Sequence, residues 1–185
     1  MSGLQLPGTG FGQIFGRSFT TGLMSPSKSS REIMSALRRN VNQFSTIRAP
    51  LGKLNPADSP FTCVSGPDCS EITVGNIYQV DGPLWINPYV MTTEATESLV
   101  EFTTMQGHPE AGVIQFSAQD FEAGTVFSIN SQGQAATMLN YALYLTAGYE
   151  IQTRIWTNFV RNVREFATPT SSPGTVAVPF FIYNY

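Results

Sequence analysis

His108 is the only histidine of the chain, and Glu110 follows it after one intervening residue. An imidazole near a carboxylate can act as a general base whose orientation the carboxylate sets. Pro109 holds the backbone of His108 extended, which is typical of a turn between two strands. A structural turn in which His108 hydrogen-bonds the loop explains the same residues. The sequence therefore predicts His108 and Glu110 as candidate catalytic residues and leaves a purely structural role open.

Several aromatic and polar residues elsewhere could line a binding pocket. An apolar cavity usually carries a few placed polar groups, and tyrosine hydroxyls can supply them. Arg154, if buried, would need a carboxylate partner or an anionic ligand, and an exposed ion pair with Glu150 is the simpler explanation. Ser128 and Asn130 share one strand face, which points either into the cavity or to solvent. The candidate ligand-binding residues are Trp85, Tyr89, Ser128, Asn130, Tyr141, Tyr149, Arg154 and Trp156.

The two cysteines, Cys63 and Cys69, bound a turn-rich segment. They could close a small disulfide, but two cysteines in an intracellular protein are more often reduced, and we expect free thiols. Together with the distant His108 they form no recognisable zinc pattern. We therefore expect no metal site, and nothing in the sequence calls for a cofactor.

Composition narrows the class of protein. Charged residues make up 12% of the 185 residues, about half the typical share, and the net charge is -3. A general nucleic-acid binder would need a basic field, so this class is excluded. No apolar run reaches the roughly 18–20 residues of a membrane span. The N-terminal residues do not resemble a signal peptide, and we expect a cytoplasmic protein.

Two segments have the periodicity of helices. Residues 27–44 place apolar residues on one stripe, with Ser29 or Ser30 as the cap and Glu32 in the first turn. Residues 134–166 contain no proline and predict one long helix, kinked near Gly148. The first half of this helix is apolar nearly all round, so we expect it to be largely buried.

Between the helices the pattern is typical of short antiparallel strands. The predicted strands span residues 71–80, 89–93, 98–105, 113–119 and 125–130, after a proline-rich loop at 48–70. A last apolar strand at 175–185 contains Pro179, which places it at a sheet edge. The sequence thus divides into an N-terminal arm (1–26), a main domain (27–167), and a linker with an edge strand (168–185).

One stretch resembles a known family. Residues 74–82 read V-G-N-I-Y-Q-V-D-G, and Gly107-His108-Pro109-Glu110 is followed by Gly112, a further strand and the long helix. Over residues 30–166 the chain resembles an uncharacterised family of bacteria and plants marked by a Gly-His-Pro-Glu turn, which is similar to the START-like, helix-grip superfamily. The resemblance implies an α+β fold in which a curved antiparallel sheet wraps around a long C-terminal helix and encloses a cavity. It implies no particular reaction.

Two functions from different classes follow. In the first, the cavity binds a small, mostly apolar molecule, either as a carrier or as a cofactor-independent cyclase or isomerase of a biosynthetic pathway. In the second, the protein is a structural or assembly subunit, in keeping with its low charge, its Gly/Phe-rich arm and its apolar C-terminal strand. That strand could also join copies of the chain into a homo-oligomer.

Overall fold

In the computed structural model of this protein, the residues described are 3–24, 26–45, 61–81, 87–143, 145, 149–168 and 182–184. They form eight strands and four helices. In chain order these are β1 (Phe11–Met24), α1 (Ser30–Arg39), α2 (Asn42–Ser45), β2 (Phe61–Ser65), β3 (Ile77–Val80), β4 (Tyr89–Ala95), β5 (Leu99–Thr104), β6 (Glu110–Phe121), β7 (Gly124–Ala135), α3 (Met138–Leu143), α4 (Tyr149–Ala167) and β8 (Ile182–Asn184).

All the described strands belong to one antiparallel sheet in the order β2-β3-β4-β5-β6-β7-β1-β8. The sheet is curved and unclosed, and α4 packs on its inner face. The expected α+β architecture is confirmed, and it is consistent with a helix-grip fold.

Strand β1 comes from the segment expected to be an N-terminal arm. It pairs with β7 from Phe11 opposite Ala135 to Met24 opposite Gly124, so this segment lies within the sheet. Its burial alternates: Arg17 and Phe19 face the interior, whereas Ser18 between them is only half-buried. This period of two is the pattern of a strand with one face on the core.

Helix α1 begins where the sequence predicts. The Ser29 side chain accepts a hydrogen bond from the Glu32 amide, and the Glu32 carboxylate accepts from the Ser29 amide, a reciprocal capping box. The helix ends at Arg39, so it is shorter than predicted, and the short helix α2 follows it. The buried face of α1 consists of Ile33, Met34, Ala36 and Leu37.

Phe159 of α4 lies at the centre of the core, with no exposed surface. Its ring centroid is 5.8 Å from that of Phe44 and 5.0 Å from that of Phe116. The rings of Phe127 and Trp156 lie at 6.2 Å. Phe159 thus joins α4 to the sheet and to α2 through aromatic contacts.

The predicted long helix differs from the structure. Strand β7 continues to Ala135, and the described residues after it form two helices, α3 and α4. The expected burial of the first half is wrong: Met138 is 67% exposed and Leu139 71%. An apolar sequence promotes burial only where another element covers it, and among the described elements α3 contacts chiefly β1 and β7. The predicted kink at Gly148 lies outside the described residues.

The segment around Cys63 and Cys69 also differs from expectation. The two cysteines form a disulfide, so they are not free thiols. Residues 71–76, expected to continue a strand, form a turn instead. The side-chain nitrogen Nδ2 of Asn76 donates to the Asp68 and Glu71 carbonyls, and this closes the turn before β3 begins.

Strand β8 lies at the edge of the sheet and pairs with β1 of the same chain, Ile182 opposite Phe19. This agrees with the predicted edge strand over the three residues described; Pro179 lies outside the described residues. No helix in the described part of the chain combines the length and apolarity needed to cross a membrane.

Candidate functional site

A cavity of about 130 Å³ lies between the inner face of the sheet and α4. Its walls are mainly aromatic and aliphatic, and its polar groups come from β1, β5, the β5–β6 turn, β7 and α4. The apolar lining includes Phe15, Phe61, Val80, Val90, Phe102, Ile114 and Trp156. The polar lining includes Arg17, Thr104, His108, Glu110, Gln134 and Gln152.

His108 and Glu110 reach the cavity because the turn between β5 and β6 places them there. Gly107 has a φ of +95°, which favours glycine, and the His108 amide donates to the Met105 carbonyl at 2.9 Å. Gly112, two residues after Glu110, approaches β7 closely: a Cβ on Gly112 would lie 2.6 Å from the Gln132 carbonyl oxygen. A side chain at Gly112 would therefore disturb this end of the cavity.

Gln5 stabilises the turn between β5 and β6 through hydrogen bonds. Its side-chain nitrogen donates to the His108 carbonyl at 3.1 Å and to the Glu110 carbonyl at 3.2 Å. Its backbone amide donates to the Thr104 carbonyl at 2.8 Å, and its carbonyl accepts from the Thr104 hydroxyl at 2.9 Å. The first described residues of the chain are thus part of the support of the site.

The imidazole of His108 is neutral near pH 7, because burial lowers its pKa to about 4. The Glu110 amide donates to His108 Nδ1 at 3.0 Å. The Glu110 carbonyl also lies 3.0 Å from Nδ1, but it already accepts from Gln5. The arrangement that satisfies every one of these groups has Nδ1 as the acceptor and the proton on Nε2. His108 is therefore a hydrogen-bond donor through Nε2 rather than a free base through Nδ1.

The Glu110 carboxyl lies against the cavity with its pKa raised, chiefly by burial. Gln152 donates to its Oε1, and the positive charge of Arg17 also acts on it; both oppose the rise. A carboxyl with a raised pKa can keep or exchange a proton closer to neutral pH than an exposed one. Glu110 is thus the group of this site best suited to proton transfer.

Arg17 is the buried arginine of the site, with 3% of its surface exposed. Its Nη1 donates to Gln152 Oε1 at 3.2 Å, and its Nη2 donates to the Thr153 hydroxyl. Its guanidinium lies 5.0 Å from the centre of the Phe19 ring, within cation–π range. Because a guanidinium stays protonated in proteins, Arg17 carries a permanent positive charge into the cavity wall.

The structure brings three of the predicted site residues together: His108, Glu110 and Trp156 line the same cavity. It does not bring Ser128 and Asn130 there. They lie on the other face of β7 from the buried Phe127 and Ile129, and the Ser128 hydroxyl lies 3.1 Å from that of Thr20. Their strand face is therefore the one directed away from the core.

Of the other predicted site residues, Tyr89, Tyr141 and Arg154 do not line the cavity. Tyr89 is exposed at the start of β4, and the Tyr141 ring packs on Phe11 and Phe15. Arg154 is exposed and forms an ion pair with Glu150 at 3.1 Å, as the simpler explanation had it. Tyr149 begins α4, and Trp85 lies outside the described residues. The binding roles of these residues remain predictions.

Sequence reasoning missed Arg17 and Gln152. The signal for Arg17 was the alternation of β1: it shares strand parity with Phe15 and Phe19, so it belongs on their face. Gln152 lies one helical turn before Trp156, a position that shares the face of the buried Phe159 and Val163. Among the residues described, no group of three or more histidine, cysteine or acidic side chains could hold a metal ion.

No protein-family model matches the sequence, and no curated protein matches it. Solved structures do resemble its fold. An uncharacterised protein of Rhizobium leguminosarum has 9% identity and a TM-score of 0.54, over 83% of this chain and 94% of its own. A protein of Nitrosospira multiformis has 11% identity and a TM-score of 0.52, over 84% and 98%. A Chromobacterium violaceum protein has 11% identity and a TM-score of 0.51, over 83% and 97%. At these identities the likeness shows the fold alone.

Proposed function

We propose that this protein binds a small, mostly apolar molecule in the cavity between the sheet and α4. The observation that carries the proposal is the cavity itself: about 130 Å³ bounded by aromatic and aliphatic side chains, with a cluster of polar groups in its wall. Apolar walls with a few placed polar groups are the usual composition of a small-molecule site. The apolar part supplies affinity and the polar cluster orients the ligand.

The size of the cavity limits the ligand. An apolar cavity of about 150 Å³ engineered in another protein takes up benzene. A cavity of about 130 Å³ therefore suits one ring, or an aliphatic group of similar volume. Larger ligands would require the lining side chains to move.

The proposal includes both a carrier and a cofactor-independent cyclase or isomerase of a biosynthetic pathway. The two hypotheses give Glu110 different roles, because its raised pKa suits an acid–base catalyst but is not needed by a carrier. Glu110→Gln keeps the size and hydrogen-bonding shape of the side chain but removes proton transfer. An enzyme with this substitution would lose about 10²–10⁴-fold in rate while still binding its substrate, whereas a carrier would be unaffected in transport.

Filling the cavity tests the proposal. Val90→Phe places a ring in the space that the ligand would occupy, so we expect toluene binding, measured by calorimetry, to weaken at least about tenfold. Val90 lines the cavity, whereas Val74 is 52% exposed and does not line it. The matched control Val74→Phe should bind toluene like the unsubstituted protein. Equal binding by both variants would mean that toluene lies elsewhere, and the proposal would fail.

We also propose that the chain is a divergent member of the Gly-His-Pro-Glu-turn family within the START-like superfamily. The turn sequence at residues 107–110 and the helix-grip architecture support this assignment.

The cytoplasmic location remains a prediction. The Cys63–Cys69 disulfide weighs against it, because disulfides persist mainly in oxidising compartments.

The alternative function, a structural or assembly subunit, has one specific observation in its favour. Large apolar side chains are exposed near the start of the chain and on α3: Leu4, Leu6, Phe11, Ile14, Met138, Leu139 and Leu143. Exposed apolar groups of this kind mark protein–protein contacts when they are contiguous. Size-exclusion chromatography with light scattering separates the functions: we expect a monomer or dimer, and a large defined assembly would favour the alternative.

A further inference from the structure

Resting on the proposed function, we infer that the ligand of this cavity is a single ring that carries a neutral hydroxyl group, bound between His108 Nε2 and Glu110 Oε2. The ligand class is that of small cyclic alcohols and phenols. The polar cluster of the site consists of Arg17, His108, Glu110 and Gln152, and the protein itself engages most of its hydrogen-bonding atoms. It leaves these two open toward a ligand.

Arg17 and Gln152 have their partners within the protein. Gln152 Oε1 accepts from Arg17 Nη1 at 3.2 Å, and Gln152 Nε2 donates to Glu110 Oε1. Arg17 Nη2 donates to the Thr153 hydroxyl, and the charge of Arg17 also acts on the Glu110 carboxyl. These contacts hold Glu110 in position and leave its second oxygen, Oε2, as the atom that a ligand would meet.

His108 Nε2 is the second open atom. The Glu110 amide donates to His108 Nδ1 at 3.0 Å, so the imidazole proton lies on Nε2. Within the described part of the chain, neither His108 Nε2 nor Glu110 Oε2 has a hydrogen-bond partner. Neither belongs to the fully buried atoms without a partner, so each retains accessible surface. Since both side chains line the cavity, a ligand there meets one N–H donor and one carboxyl oxygen.

A hydroxyl group matches this pair of atoms in both protonation states of Glu110. When the carboxyl is ionised, the hydroxyl oxygen accepts from His108 Nε2 and the hydroxyl proton is donated to Glu110 Oε2. When the carboxyl is neutral, its proton lies on Oε2, because Oε1 accepts from Gln152. The hydroxyl oxygen then accepts from both side chains through its two lone pairs.

Other polar groups match the pair less well. A carbonyl or ether oxygen only accepts, so it leaves an ionised Glu110 facing an acceptor. An ammonium group only donates, so it faces the Nε2 proton without an acceptor there. A carboxylate is repelled by an ionised Glu110. A site that hydrogen-bonds a hydroxyl discriminates strongly against analogues that lack it, because its own polar groups are then left unpaired.

The apolar lining determines the rest of the ligand. A cavity of about 130 Å³ suits one ring. Cyclohexanol combines one ring with one hydroxyl and is therefore the probe of this class. Cyclohexanone has the same number of heavy atoms, but its oxygen only accepts. Toluene also has this number of heavy atoms and lacks a polar group, so the three compounds separate apolar fit from the two directions of hydrogen bonding.

The test is calorimetric titration of the full chain with these three probes at about pH 8, well above the ordinary pKa of a glutamate. We expect cyclohexanol to bind at least about tenfold more tightly than cyclohexanone. Binding of toluene or cyclohexanone without a preference for cyclohexanol would overturn the hydroxyl assignment and leave the apolar cavity standing. Absence of binding by all three would overturn both the assignment and the proposed function.

Glu110→Gln locates the effect. Its amide oxygen can still accept from Gln152, which places an NH₂ donor where Oε2 stood. We expect the preference for cyclohexanol over cyclohexanone to fall to within about threefold, while toluene affinity changes less than about twofold. A preference that persists in this variant would overturn the inference.

Glu122→Gln is the matched control, because Glu122 is exposed in the turn between β6 and β7 and does not line the cavity. It should keep the full preference for cyclohexanol, and a loss as large as that in Glu110→Gln would overturn the assignment to Glu110. Circular dichroism checks the fold of both variants. If Glu110→Gln does not fold, the ratio of cyclohexanol to cyclohexanone affinity in the unsubstituted protein still decides.

Discussion

Phe159→Ala should lower the free energy of unfolding by about 3–5 kcal/mol, the range for removing a fully buried aromatic ring. Phe159 has no exposed surface and contacts four other aromatic rings, from α2, β6, β7 and α4. Its removal leaves a void at the contact between α4 and the sheet. Urea unfolding followed by circular dichroism measures the change.

Phe121→Ala is the matched control, because Phe121 lies at the end of β6 and is 54% exposed. We expect this substitution to change stability by less than about 1 kcal/mol. Similar losses for the two variants would show that α4 is not packed on the sheet through Phe159, and the helix-grip architecture would then be wrong.

Acid should destabilise the protein through His108. The pKa of this residue is about 4 in the folded protein, against an ordinary value of 6.5. As the pH falls below 6.5 the unfolded chain takes up a proton that the folded protein does not, so stability is lost progressively down to about pH 4. The full shift corresponds to at most about 3 kcal/mol, since one pKa unit is worth about 1.4 kcal/mol.

Glu110 has the opposite effect on stability at pH values above 4.5, its ordinary pKa. Its pKa is raised on folding, so the folded protein holds this proton more tightly than the unfolded chain, and stability rises as the pH falls through that range. Arg17 stays charged throughout. Unfolding of the unsubstituted protein, His108→Gln and Glu110→Gln between about pH 7 and 4.5 separates the two contributions. An unchanged pH dependence in His108→Gln would contradict a neutral, buried histidine.

The sequence predicts much of this fold because the relevant signals are local. The capping box of α1 lies within four residues, from Ser29 to Glu32, and β6 and β7 show clear alternation of apolar and polar residues. Where the signal depends on distant contacts, prediction fails. The apolar sequence of α3 carries no information on whether another element covers it, and the structure leaves Met138 and Leu139 exposed.

Of the polar cluster of the site, the sequence alone predicted only the two residues at the β5–β6 turn. His108 and Glu110 are adjacent to a proline and a glycine that mark the turn locally. Arg17 lies 93 positions from Glu110 in the sequence, and Gln152 lies 42 further on, so only the folded sheet and α4 bring the three together. Arg154 lies in a segment with clear helical periodicity, whereas Arg17 lies in the segment expected to be an N-terminal arm, so the sequence gives its burial no strong local signal.

The most direct test of the central claim is a crystal structure of the protein under xenon pressure. Xenon enters apolar cavities without needing a hydrogen bond, so it reports the cavity independently of the ligand's identity. We predict xenon density between the sheet and α4, in contact with Phe102, Ile114 and Trp156. An interior filled by these side chains, with xenon only at the surface, would contradict the account.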